Sequence, residues 1–282
     1  MTEKELKFIR EAYEKLENPN LLSRIANSIG KPIEFLHESL PEKAQKNISA
    51  LVKKSLAKAL EVAIGTTRES VFDGDFNAAI KLGSTDSKLH TAGAATAGGI
   101  AGFFGPAALV LELPITTTIM LRSIAEQASS FGFSLSSGNE IKLECLTIFN
   151  YGSNRSKGDD QMESAYFSTR EAFNVLIKNA VGFVSTHSAK EVLRAIEKGT
   201  APELVKLIGR IAATFEVAVT EKLVAESIPV LGAAGGALIN GAFCDHFSKV
   251  AHYHFGLRRL EETYGKDAVH SAYLGFRDKN AA

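Results

Sequence analysis

From Thr91 to Leu111 the chain carries no charged residue, and after Glu112 the uncharged run resumes up to Leu121. Such a stretch has two homes, the interior of a protein or a lipid layer. Its length alone would suit a membrane-spanning helix, but three features oppose that. The Gly105-Pro106 pair breaks a helix in mid-run. The pieces on either side are each too short for a hydrocarbon layer of roughly 30 Å. Glu112 would cost on the order of 2 kcal/mol or more at mid-bilayer, and the chain has no tryptophan to mark an interface. The expectation is therefore a helical hairpin, either buried in protein or dipping part-way into one leaflet.

Small residues recur inside this run at helical spacing. Gly93, Ala97, Ala101 and Gly105 form one stripe, and Ala94, Gly98 and Gly102 the next. Later, Gly232, Gly236 and Asn240, with Ala233, Ala237 and Gly241, repeat the arrangement. A glycine inside a helix costs roughly 1 kcal/mol relative to alanine, so several in register imply that another backbone comes close. Gly98, Gly102, Gly232 and Gly236 are the expected close-packing positions. The run GGIAGFFGP has neither the Lys-Ser/Thr pair of a phosphate loop nor G-x-G-x-x-G after a strand, so neither a nucleotide nor another cofactor is expected.

Elsewhere the pattern is helical. Ser39-Leu40-Pro41-Glu42 and Thr200-Ala201-Pro202-Glu203 are helix-start signals, and Ser137 to Glu140 opens another. Apolar residues then recur at three and four rather than at two. The spacing predicts helices over 3–17, 21–30, 42–64, 75–82, 86–104, 107–131, 138–150, 160–183, 187–198, 201–226, 230–262 and 266–276, with a polar loop at 151–160. The fold class expected is all-α, a single compact multi-helix domain. Residues 1–84 are expected to form an N-terminal helical region that includes the basic helix, and 85–282 a helical core, the two making one structural unit.

The helix at 42–64 is strongly two-faced. Lys43, Lys46, Lys53, Lys54 and Lys58 fall on one side, and Ile48, Leu51, Val52, Leu56, Ala59, Val62 and Ala63 on the other. That pattern suits a surface helix with its apolar face on the core, and it equally suits a helix lying on anionic lipid. Basic and acidic residues balance at 32 each, which speaks against nucleic acid as a partner, because that affinity comes from neutralised phosphates.

No arrangement of residues states a reaction. There is no G-x-S-x-G elbow, and Cys145 and Cys244 lack catalytic flanks. Both lie in apolar stretches, as buried thiols do, and the charged start MTEKEL is unlike a secretory signal, so a cytoplasmic location is expected. Glu112 and Arg122 are read as interior charges held in buried ion pairs. His246, His252 and His254 sit close together in sequence, but only His246 and His254 share a face, and a structural polar seam is favoured over a metal site. Asn240, Cys244, Phe247, Ala251, His254 and Arg258 make up that seam.

Four stretches together, ELPITTTIMLRSIAEQA from Glu112, AYFSTREAF from Ala165, IPVLGAAGGALINGAFCDHF from Ile228 and AHYHFGLRRLEETYG from Ala251, resemble the EcsC family of bacterial proteins. The resemblance runs from about Thr91 to Tyr273, with a looser match before it. It carries over Glu112, Pro114, Arg122, Tyr166, Arg170, Pro229, Asn240, His254, Arg258, Arg259 and Glu261 as family-pattern positions, and it implies no catalytic mechanism. The family's namesake gene lies beside those of an ABC exporter, which implies a role near membrane transport or secretion. The function expected is a non-enzymatic cytoplasmic accessory protein, peripheral on the inner face of the membrane or on a membrane complex. Two alternatives stand beside it: a hydrolase or ligand-binding enzyme built on Glu112, His254 and Arg258, and a soluble structural protein.

Overall fold

The computed structural model describes residues 1–17, 21, 42–65, 69–82, 109–136, 138–151, 164–226 and 232–277. Among these, every regular element is a helix. In chain order they are α1 (Glu3–Glu17), α2 (Glu42–Ile64), α3 (Leu109–Ser130), α4 (Asn139–Tyr151), α5 (Ala165–Thr186), α6 (Ala189–Lys198), α7 (Pro202–Glu226), α8 (Gly232–Tyr264) and α9 (Lys266–Leu274). A short helical segment spans 76–82. The chain is all-α, and the described helices pack around one apolar core to which each of them contributes. The helix expected at 86–104, nearly all of that at 21–30, the Gly105-Pro106 break and most of the 151–160 loop lie outside the described residues. So do Gly98, Gly102 and Pro229. Gly232 and Gly236 fall in the first turns of α8, but the close packing expected of them lies outside the described residues.

The spine is α8, whose 33 residues extend about 50 Å at 1.5 Å per residue. Along it α3 runs in the same direction, and equal steps on the two helices meet. Glu112 meets Asn240, Ser123 Oγ bonds Ser248 Oγ at 3.0 Å, Gln127 Oε1 meets His252 Nδ1 at 3.0 Å, and Arg259 Nε donates to the Phe131 carbonyl at 2.7 Å. The opposite direction is taken by α7, with Lys222 level with Asn240 and Phe215 packed on Phe247, ring centroids 5.5 Å apart. α1 crosses α8 at Gly256, where a Cβ would lie 2.2 Å from Phe8 Cζ, so no larger residue fits without displacing that ring.

The two-faced helix α2 lies against α3, α4, α6 and α7. It buries Val52, Ser55, Leu56, Ala59, Leu60 and Ala63, and it leaves Lys53, Lys54 and Lys58 exposed. Its apolar face is thus turned to protein; the side chains of Lys43 and Lys46 lie outside the described residues. Ala59, Val62 and Ala63 share a small void with Thr118, Leu121 and Ala125 of α3. Just beyond α2, Ser129 Oγ donates to the Glu69 carbonyl at 2.7 Å, so α2 also runs in the direction of α3.

Helix starts follow local chemistry. Pro202 opens α7, as the Thr-Ala-Pro-Glu signal implies. A reciprocal capping box between Ser188 and Glu191 starts α6, inside the helix expected over 187–198. Helix α4 is buried all round from Lys142 to Tyr151, and this brings its charged residues into the interior.

Candidate functional site

Two buried polar clusters sit at different levels of α8. In the first, Glu112 Oε1 accepts from Lys222 Nζ at 2.6 Å, Asn240 Nδ2 at 2.8 Å and Thr116 Oγ1 at 3.0 Å. All four residues are buried. Glu112 is therefore an interior charge held in an ion pair, as expected, but its partner is Lys222 of α7. Arg122 is a correction to that expectation, because it is exposed. The reason is helical phase. Arg122 follows Ile115 by seven residues, so both lie on the outward stripe of α3, and the intervening Thr116, Thr117 and Met120 face the core. Pro114 lies inside α3, where it gives up an amide N–H; its carbonyl accepts from Thr118 Oγ1 at 2.8 Å.

The second cluster is larger and links α4, α5 and α8. Tyr166 Oη lies 2.9 Å from His254 Nδ1, and His254 Nε2 lies 2.9 Å from Glu144 Oε1. Arg258 donates to the same Glu144 oxygen. On the other side, Arg170 reaches Tyr166 Oη through one terminal nitrogen at 3.5 Å and Glu261 Oε1 through the other at 2.6 Å. Tyr151 stacks on the His254 ring, centroids 5.4 Å apart. One proton assignment satisfies the chain: the tyrosine O–H donates to Nδ1, and the histidine Nε2–H donates to the carboxylate.

The electrostatics agree with that assignment. Burial opposes ionisation of Glu144, but the His254 hydrogen bond and the Arg258 charge outweigh it and hold the carboxyl at about 2. Burial keeps His254 below its ordinary range, hence neutral, against the pull of Glu144. Burial also pushes Tyr166 up to about 12. A phenol so raised is a poor nucleophile and a poor general acid at neutral pH. Tyr166 and His254 have no exposed surface and Glu144 has 3%, so a carboxylate–histidine–tyrosine chain that looks like a relay is enclosed. Its physical effect is to lock three helices in register.

Of the family-pattern positions, Tyr166, Arg170, His254, Arg258 and Glu261 come together in this cluster, while Glu112 and Asn240 meet in the other. Asn240 and His254 are fourteen positions apart on α8, about 21 Å along the axis. The residues of the hydrolase alternative are thereby divided between two places. Arg259 belongs to neither cluster: besides its bond to the Phe131 carbonyl, it pairs with Glu262 at 2.6 Å and covers the rings of Phe72 and Phe133. It fastens the turn at Gly132, whose φ of +93° favours glycine.

Sequence reasoning missed Glu144, Lys222 and Tyr151. Glu144 and Tyr151 are polar groups in an apolar run (LECLTIFNY), the signal that singled out Glu112, whereas Lys222 stands between Glu221 and Glu226 (TEKLVAE) and carries no such signal. Cys145 and Cys244 are buried thiols without a disulfide, as expected. Burial and the neighbouring Glu144 carboxylate push the Cys145 thiol well above its ordinary range. Among the described residues, no group of histidine, cysteine and carboxylate side chains could hold a metal ion.

The EcsC protein family model matches residues 3–260. The chain belongs to the EcsC family. The match begins at residue 3, so it takes in the N-terminal region where the resemblance read from sequence was looser. Both polar clusters lie within it except for their C-terminal edge at Glu261. No curated protein and no solved structure matches the chain.

Proposed function

We propose that this EcsC-family chain is a non-enzymatic accessory protein that attaches peripherally to the inner face of the cytoplasmic membrane, through the end of the bundle where α3 and α8 begin. The observation that carries this is apolar exposure at one level of the molecule. Ile115 and Leu238 are 53% and 52% exposed and lie beside the Glu112–Asn240 level on α3 and α8, with Val217, 44% exposed, five residues further along from Lys222 on α7. The uncharged residues 91–108 directly precede α3 in the sequence. Because α2 runs with α3, Lys53 and Lys54, ten and nine residues before Ala63, lie toward the same end. Each lysine near an anionic surface contributes about 1 kcal/mol. The apolar face of α2 is occupied by the core, so its lysines act through charge alone. Among the described residues, no helix is long and apolar enough to cross a membrane. The burial of Tyr166, His254 and Glu144 supports the non-catalytic part of the reading.

The test is sedimentation of the full chain with phosphatidylglycerol-containing vesicles at low salt. The chain is expected in the pellet, with binding weakened several-fold by Lys53→Glu/Lys54→Glu and largely lost in Ile115→Asp/Leu238→Asp. A chain that stays in the supernatant at every lipid composition sinks the proposal.

A further inference from the structure

Beside the Glu112–Lys222 pair stands a carboxylate that takes no part in it. Glu221 of α7 is next to Lys222 in sequence, but one residue turns a helix by about 100°, so Lys222 points inward to Glu112 while Glu221 stays at the edge of the core. Glu221 follows Val217 by four residues, and the two share the outer side of α7. It is half-buried, and its Oε2 is buried without a hydrogen-bond partner. Buried acceptors are nearly always satisfied, and buried charges nearly always paired. A carboxylate left unpaired in such a place is one that a proton relieves.

The helices around α7 supply no counter-charge among the described residues. On α3, Glu112 is held by Lys222, and on α8 no residue from Gly232 to Cys244 is charged. The next charges along α8, Asp245 and Lys249, meet each other at 2.9 Å. On α2, Lys53 and Lys54 are exposed. Helices α4 and α5 meet α7 nearer its middle, through Phe149 on Phe215 and Phe173 under Arg210, and their buried charges Glu144 and Arg170 belong to the His254 cluster. Burial pushes the Glu221 carboxyl up to about 7, so both of its forms are populated near neutral pH.

The position of Glu221 gives that proton a consequence. It stands at the level of Lys222 and Asn240, and hence at the end of the bundle that carries Ile115 and Leu238. An ionised carboxylate brought against acyl chains is among the costliest of groups there, and an anionic surface repels it as well. We propose that Glu221 is a proton-operated latch on docking: this end of the bundle goes onto an anionic bilayer with the carboxyl neutral and comes off when it ionises. The inference rests on the docking reading above and adds what regulates it. Attachment then takes up one proton per chain wherever the free chain holds Glu221 ionised.

The test is sedimentation of the full chain with phosphatidylglycerol-containing vesicles at fixed salt, over about pH 6 to 9, with circular dichroism to show that the fold is kept. One linked proton predicts an affinity that falls up to about tenfold per pH unit above the Glu221 midpoint and levels off below it. Glu221→Gln keeps the shape and removes the charge, so its binding should stay tight and flat over the alkaline part of that range. Lys53→Glu/Lys54→Glu should bind more weakly at every pH yet keep the wild-type slope. Wild-type binding that does not change with pH, or a Glu221→Gln variant with the wild-type slope, overturns the latch and leaves the docking reading in place. No binding at any pH overturns the docking reading and the latch with it.

Discussion

Lys222→Met is expected to lower the stability of the chain by about 3–5 kcal/mol, because it leaves the Glu112 carboxylate buried without its counter-charge. Lys222 has no exposed surface and its ammonium lies 2.6 Å from Glu112 Oε1. Asn240 and Thr116 still donate to that oxygen in the variant, but two neutral hydrogen bonds at about 1 kcal/mol each do not offset a buried charge. The double variant Lys222→Met/Glu112→Gln removes both charges and keeps an amide acceptor for Asn240, so it should regain most of the loss. Denaturant midpoints of the three proteins decide the matter. A loss below about 1 kcal/mol for the single variant would mean that the pair is solvated and does not join α3 to α7.

Glu144→Ala should be as damaging, again about 3–5 kcal/mol, since it strips His254 and Arg258 of their shared acceptor in one step. Glu144→Gln keeps an acceptor and the shape, and should cost about 1–2 kcal/mol. The acid limb of stability separates these roles further. In the folded chain the Glu144 carboxyl is held at about 2, below its ordinary value of 4.5. Between those values the unfolded chain binds the proton and the folded chain does not, so acid favours unfolding. The contribution is fully present above pH 4.5 and is lost as pH falls toward 2; its upper bound is on the order of 3 kcal/mol. Glu144→Gln should flatten that part of the curve of denaturant midpoint against pH. An unchanged slope would show that the carboxylate is not held by His254 and Arg258.

The helices were legible because each has an apolar stripe or a start signal: Pro202 opens α7 where its box places it, and α2 buries the face that its lysines avoid. Partners were not legible. Glu112 reads as an interior charge from its surroundings alone, but nothing local points to Lys222 on a helix 110 positions away. Arg122 sits in the same apolar run and reads the same way, yet helical phase turns it outward with Ile115. Helix α4 is buried on every side, so its sequence has no periodicity to show where Glu144 points. The seam from Asn240 to Arg258 was visible as a stripe, whereas its division between two clusters depends on which helices cross α8 at each level. Gly256 was passed over for the opposite reason: it lacks neighbours at glycine spacing, and its need comes from Phe8 on a distant helix.

The central claim is that the end of the bundle holding Ile115 and Leu238 meets the bilayer, and tryptophan fluorescence tests it most directly. The chain has no tryptophan, so Leu238→Trp gives a single reporter at that end. Val175→Trp, at an α5 position that is 59% exposed, gives one elsewhere. On adding phosphatidylglycerol-containing vesicles, the reporter at position 238 should shift to the blue and be quenched by brominated acyl chains, while that at 175 stays as in water. Emission unchanged at 238, or an equal shift at both positions, would contradict the account.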